Sequence, residues 1–118
     1  MKYNELTRRY FGAPSTAGIL SGPGVMRGAA GNRERGTWVQ FDVQVVSGTL
    51  TAARFLAFAC PHTIAVAAFV AEQAIGATAT ARLPQDVRAL VERFAVPEEK
   101  LGRILIIEDA WAAALTSH

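Results

Sequence analysis

Phe55-Leu56-Ala57-Phe58-Ala59-Cys60-Pro61-His62-Thr63-Ile64-Ala65 is the stretch on which the reading of this chain turns. Its first half continues a strand and its second half opens an almost wholly apolar helix, so the pattern changes at Cys60-Pro61. Proline suits the first helical position, where its missing N–H is no loss. That puts Cys60, the one cysteine of the chain, at the N-cap. A thiol there meets the positive end of the helix dipole and unpaired backbone N–H groups, and both favour the thiolate. The competing reading is plain burial, because free cysteines commonly pack as small hydrophobes. Position alone favours burial.

Upstream of this joint, Trp38-Val39-Gln40-Phe41-Asp42-Val43-Gln44-Val45 alternates without a fault. Val39, Phe41, Val43 and Val45 share one face, and Trp38, Gln40, Asp42 and Gln44 share the other, which predicts a half-buried antiparallel strand with one wet face. Ser47-Gly48 makes a turn, and Leu50 to Phe58 returns beside it with blurred alternation, the mark of a bulge or of burial on both faces. Pro14 to Gly36 is rich in Gly, Pro and Ala and reads as an extended, loop-like segment with one irregular strand around Val25 to Ala29. No Gly-Lys-Ser/Thr follows it, and no strand precedes Gly22-Pro23-Gly24, so phosphate-loop and dinucleotide readings both fail. Tyr3, Leu6 and Tyr10 are spaced for a short amphipathic helix.

Downstream, Thr63 to Ile75 is apolar nearly all round and stops at Gly76. At about 13 residues it falls short of the ~20 that span a bilayer and is expected to be a core helix. Leu83, Val87, Leu90, Val91 and Phe94 mark one face of a second helix, with Pro84 near its first position. Pro97-Glu98-Glu99 opens a third, whose buried stripe is Ile104, Ile107, Trp111 and Leu115. Strands first and helices after predict an α+β fold: a small three-stranded antiparallel sheet with helices packed on one face, residues 1–118 forming one domain.

Composition narrows the function classes. Hydrophobic residues make up 51% of the 118, and the formal net charge is +2, too small to argue for nucleic acid. Arg27, Arg33 and Arg35 gather in the glycine-rich segment, where a solvated loop is favoured over an anion site. One cysteine excludes an intramolecular disulfide and an intrachain multi-cysteine zinc site. The start lacks an apolar signal region, so the expected compartment is the cytoplasm, with no membrane association. Glu108-Asp109 point about 100° apart on a helix and cannot share a substrate. Cys60 and His62 supply half of a tetrahedral metal site, and His118 belongs to the tail. With no nucleophile, base and orienter together, no enzymatic activity is expected.

The order of these pieces resembles the IscU/NifU-type iron–sulfur cluster assembly scaffold family over most of the chain, from Tyr10 onward. Pro14-Ser15-Thr16-Ala17-Gly18 is similar to the family's Pro-x-x-x-Gly. Gly28 to Thr37 sits where the family has a glycine-rich loop ending in Cys-Gly-Asp. Phe55, Phe58, Ala59-Cys60 and Ile64-Ala65 resemble Phe, two residues, an aromatic, Gly-Cys, three residues and Ile-Ala. Gly76 falls near the family's helix-ending Gly-Lys, and Val96-Pro97-Glu98-Glu99-Lys100 stands in place of Leu-Pro-Pro-Val-Lys. Ile104 to Ala110 resembles Ser-Ile-Leu-x-Glu-Asp-Ala.

The resemblance implies a protein that holds a nascent cluster on three cysteines aided by an aspartate, thiolates being soft, charged ligands for iron. Carried over residue by residue, the first cysteine position is Arg35 and the aspartate position Thr37. The third cysteine position is Arg103, and the histidine often found before it is Gly102. Only Cys60 remains. The cofactor that the resemblance implies is an iron–sulfur cluster or iron, but two guanidiniums in place of two anionic ligands put permanent positive charge beside a cation site, so one chain is not expected to hold a standard [2Fe–2S] cluster. The implied roles are sulfur acceptance at Cys60, with His62 a minor candidate, or a cluster shared across a homodimer. The implied partners are a cysteine desulfurase and other assembly proteins, while the altered Val96 to Lys100 counts against chaperone docking there. An alternative is a non-catalytic anion-binding or regulatory module built on Arg35 and Arg103.

Overall fold

The computed structural model describes residues 3–12, 14–83 and 85–116. Three strands, β1 (Val25–Asn32), β2 (Thr37–Val46) and β3 (Thr49–Phe58), form an antiparallel meander in the order β1-β2-β3. Among the described residues four α-helices accompany them: α1 (Glu5–Gly12), α2 (Pro61–Ala74), α3 (Val87–Arg93) and α4 (Leu101–Leu115). The architecture is the α+β arrangement the sequence predicts. The turn at Ser47-Gly48 has positive φ at both residues, 51° and 78°, the geometry that matches the twist of a tight hairpin. The irregularity expected in the return strand is a bulge: pairing passes from Gln44↔Ala52 to Val45↔Leu50, leaving Thr51 over.

Val39, Phe41 and Val43 are fully buried on the inner face, opposite Ala57, Phe55 and Ala53 of β3. α4 crosses this face over β1 and β2, and it can do so because β1 is nearly bare beneath it. A Cβ on Gly28 would run into the backbone of Ala113 and Ala114, so this glycine sets how closely helix and strand approach. Trp111 meets Phe41 edge to face at 5.1 Å and spends its indole N–H on the carbonyls of Thr80 and Arg82, each at 3.1 Å. Beside α4 in the same core, α2 lies against β3 and α1. Tyr10, Phe69 and Phe94 make an aromatic cluster with ring centroids 5.3 to 6.1 Å apart.

Two local expectations change. The glycine-rich stretch is strand as far as Asn32, longer than the irregular strand expected to Ala29. Ladder bonds to β2 supply what its side chains do not. Asp42, assigned to the wet face, is 1% exposed. It does point away from the core, but the segment after α1 folds over it. That segment joins the edge of β3, where Gly18 donates to the Phe55 carbonyl at 2.8 Å and Phe55 to that of Thr16 at 2.9 Å. It then brings the Leu20 N–H to Asp42 at 2.8 Å, while Arg27 grips both carboxylate oxygens at 2.7 and 2.8 Å. α3 begins at Val87 after an Asp86 cap that accepts from the Ala89 N–H at 2.8 Å; Pro84 lies outside the described residues, as does His118.

Candidate functional site

β3 delivers Cys60 to the N-cap of α2, with Pro61 in the first helical turn. Cys60 is half-buried, and its sulfur lies 3.3 Å from the Thr63 hydroxyl. Burial pushes the thiol up. The Thr63 hydroxyl and backbone N–H, the Arg103 guanidinium and the Lys100 charge outweigh that and hold it below its ordinary value. The Thr63 N–H turns toward the sulfur without closing a full cap bond. So the first turn of α2 contributes donors, while Arg103 of α4 and Lys100 of the turn just before it contribute positive charge, all favouring the ionised form of one sulfur.

His62 faces elsewhere. It is 2% exposed, with its ring against Tyr3 (centroids 4.6 Å apart) and its Nδ1 3.4 Å from the Lys100 ammonium. Burial, and then Lys100, push its pKa down, so the ring stays neutral near pH 7. The Lys100 charge therefore acts on both the buried imidazole and the Cys60 thiol.

The four positions singled out with Cys60 line one open cleft of about 490 Å³: Arg35, Thr37, Gly102 and Arg103, joined by Asn32 and Glu99. A short 3-10 turn, Arg33–Arg35, carries Arg35 to the rim; it is capped by Asn32, whose side chain accepts from the Glu34 N–H at 2.7 Å. Gly31, with φ +92°, lets the end of β1 close onto Thr37, where any Cβ would strike the Thr37 carbonyl. Of the three clustered arginines, Arg27 is bound to Asp42 and Arg33 lies over the Trp38 ring at 4.5 Å, whereas Arg35 lines the cleft. Arg103 belongs to both places, since it lines the cleft and helps hold the Cys60 pKa down.

Lys100, Thr63 and Glu99 went unremarked as site residues from sequence. Thr63 was findable, because the third residue after an N-cap is where a reciprocal partner sits. For the other two, only the spatial return of α4 to the start of α2 puts them there. The donor set does not fit a cluster on one chain: the sole thiol stands among cations, and no three of His, Cys, Asp and Glu gather among the described residues.

Comparison with solved structures puts the fold among known ones. An assigned iron–sulfur cluster assembly scaffold for the SUF system from Fervidobacterium islandicum AW-1 superposes with a TM-score of 0.76 at 16% identity, over 97% of this chain and 96% of that one. The N-terminal part of a nitrogen-fixing NifU-like protein from Brucella abortus does so with 0.69 at 20% identity, over 95% and 90%. No curated protein matches in sequence. The family model for the NifU-like N terminal domain matches residues 2–118, and the chain belongs to that family. Among the described residues no helix is long and apolar enough to cross a membrane.

Proposed function

We propose that this chain serves iron–sulfur cluster assembly as a non-enzymatic, scaffold-like accessory that accepts sulfur on Cys60 and does not hold a cluster on one chain. Family membership and the solved relatives support the assembly setting. The observation that carries the sulfur-accepting role is the convergence of Thr63, Arg103 and Lys100 on a half-buried N-cap thiol. In the transfer, the Cys60 thiolate attacks the terminal sulfur of a donor persulfide R–S–SH. A Cys60 S–S bond forms, the donor S–S bond breaks, and R–S⁻ leaves with the electron pair, the proton remaining on the transferred sulfur. A cysteine desulfurase is the donor this chemistry calls for. Arg103 and Lys100 favour the attacking thiolate and offset charge as the sulfur changes hands.

The deciding experiment incubates the protein anaerobically with iron, cysteine and a desulfurase, following visible absorbance and sulfur on Cys60. The expected result is a persulfide on Cys60, absent in Cys60→Ala, with no stable chromophore. A stable chromophore that disappears in Cys60→Ala would overturn the proposal and point to a cluster shared between two chains. One observation favours a second reading. Arg35 and Arg103 face a common cleft with Asn32 and Thr37, opposed there by the single carboxylate of Glu99, which suits an anion-binding regulatory module. Sulfate or phosphate binding that survives Cys60→Ala and fails in Arg35→Ala would favour it, with no persulfide formed.

A further inference from the structure

On a different face of α4 from the Arg35–Arg103 cleft, a second hollow of about 620 Å³ opens between α3 and α4. Its apolar lining is two pairs one helical turn apart, Val87 with Val91 and Leu101 with Leu105. Leu101 is 39% and Leu105 42% exposed, while Leu90 and Ile104 on the same helices are fully buried. Leu101 and Leu105 are therefore additional to the core stripe, and Val87 and Val91, half-buried at the edge of that stripe, form the opposite wall. Three carboxylates, Asp86, Glu92 and Glu98, stand around them against one cation, Arg88. That leaves an excess of two negative charges on a chain whose formal net charge is +2.

We propose that this groove docks an amphipathic helix of a protein partner, its apolar stripe flanked by lysines or arginines. Side chains spaced three and four apart on a guest helix match walls built from residues four apart. The acidic surround fits cationic flanks and repels an anionic membrane surface. An extended guest finds no strand edge here to pair with, because both walls are helical.

The test uses a helical peptide of about 15 residues with leucines at i, i+4 and i+7 and flanking lysines, beside a counterpart with glutamates for the lysines. Binding is read by fluorescence anisotropy and by amide shifts of the 15N-labelled full chain. The lysine peptide is expected to bind and to shift the amides of Val91, Leu101 and Leu105, and the glutamate peptide is not. Leu101→Ala/Leu105→Ala should weaken binding about tenfold. Glu92→Lys/Glu98→Lys should reverse the preference, so that the glutamate peptide binds instead; this gain of binding separates lost contacts from lost folding. Equal binding of both peptides, or shifts confined to other surfaces, would overturn the proposal. So would self-association that Leu101→Ala/Leu105→Ala abolishes, which would make a second copy the occupant, or preferential binding to anionic vesicles.

Discussion

Asp42 and Cys60 are two acids held in much the same way. Each is taken partly out of water, each faces a guanidinium, and each meets a backbone N–H. For both, burial pushes toward the neutral form and the partners overcome it, so both ionise more readily than usual. They differ in access. Asp42 is sealed at 1% exposure with its oxygens taken up by Arg27, Leu20 and Gln40. Cys60 is half open, and both Arg103 and Lys100 act to lower its pKa. A carboxylate is ionised at every physiological pH, so its pairing is fully realised as stability. A thiol whose pKa is lowered but which stays half open is ionised over a pH range that an incoming reagent can also reach, so its pairing shows as reactivity as well as stability.

Removing each acid is the harshest way to break the comparison. Asp42→Ala should cost about 2 kcal/mol in urea unfolding at pH 7, since it orphans the half-buried Leu20 N–H and removes the carboxylate that Arg27 grips. Cys60→Ala should cost less than about 1 kcal/mol, because a half-buried thiol gives up little packing. Equal losses would show that Cys60 is a structural acid like Asp42.

Reactivity should divide the other way. Arg103→Ala is expected to slow iodoacetamide alkylation of Cys60 about fivefold at pH 7 and to move the apparent pKa up toward 9.0, the ordinary thiol value. Arg27→Ala should leave both unchanged. The same Arg103→Ala should slow an anionic aromatic disulfide more than a neutral one, and salt should shrink that difference in the unsubstituted protein. Identical effects on the two reagents would confine Arg103 to the thiol's own ionisation.

This contrast was only half legible in the sequence. Alternation from Trp38 to Val45 says which face each residue takes, and it was right about direction for Asp42. What covers a face depends on where a distant segment runs, and the path from Thr16 to Leu20 over the sheet leaves no periodic trace. The Cys60-Pro61 joint was readable because N-capping is local, and α2 starts where proline predicted. Resemblance drew attention to Arg35 and Arg103. Lys100 could not be singled out, since its role comes from α4 folding back to the start of α2. Gly28 fell within the irregular strand expected from Val25 to Ala29; its constraint, a helix backbone directly overhead, exists only in three dimensions.

The pH dependence of stability sharpens the pair further. Asp42 has a folded pKa below its unfolded value of about 3.8, so its contribution is complete above that value and is lost as pH falls through the folded pKa. Unfolding midpoints should drop on acidification below about pH 4, and Asp42→Asn should flatten that drop. Cys60 is likewise an acid with a lowered folded pKa, so its contribution grows only as pH rises through that pKa and is complete above about 9.0. The unsubstituted protein should therefore gain on Cys60→Ala between neutral and alkaline pH while the two differ little at pH 6.

The smallest effect resolves a proton. Thr63 is fully buried and its hydroxyl lies 3.3 Å from the Cys60 sulfur, with either atom able to donate. A thiol can give its proton to the hydroxyl oxygen, but a thiolate can only accept. If the hydroxyl turns to serve the thiolate, Thr63→Val removes a donor from the charged form alone, and alkylation at pH 7 should slow about twofold with little change in urea stability. An unchanged rate would mean that the Thr63 hydroxyl keeps its proton turned away from the sulfur. The lowered thiol pKa would then rest on the backbone N–H and the two α4-side cations, and Arg103→Ala should carry a correspondingly larger share of the loss.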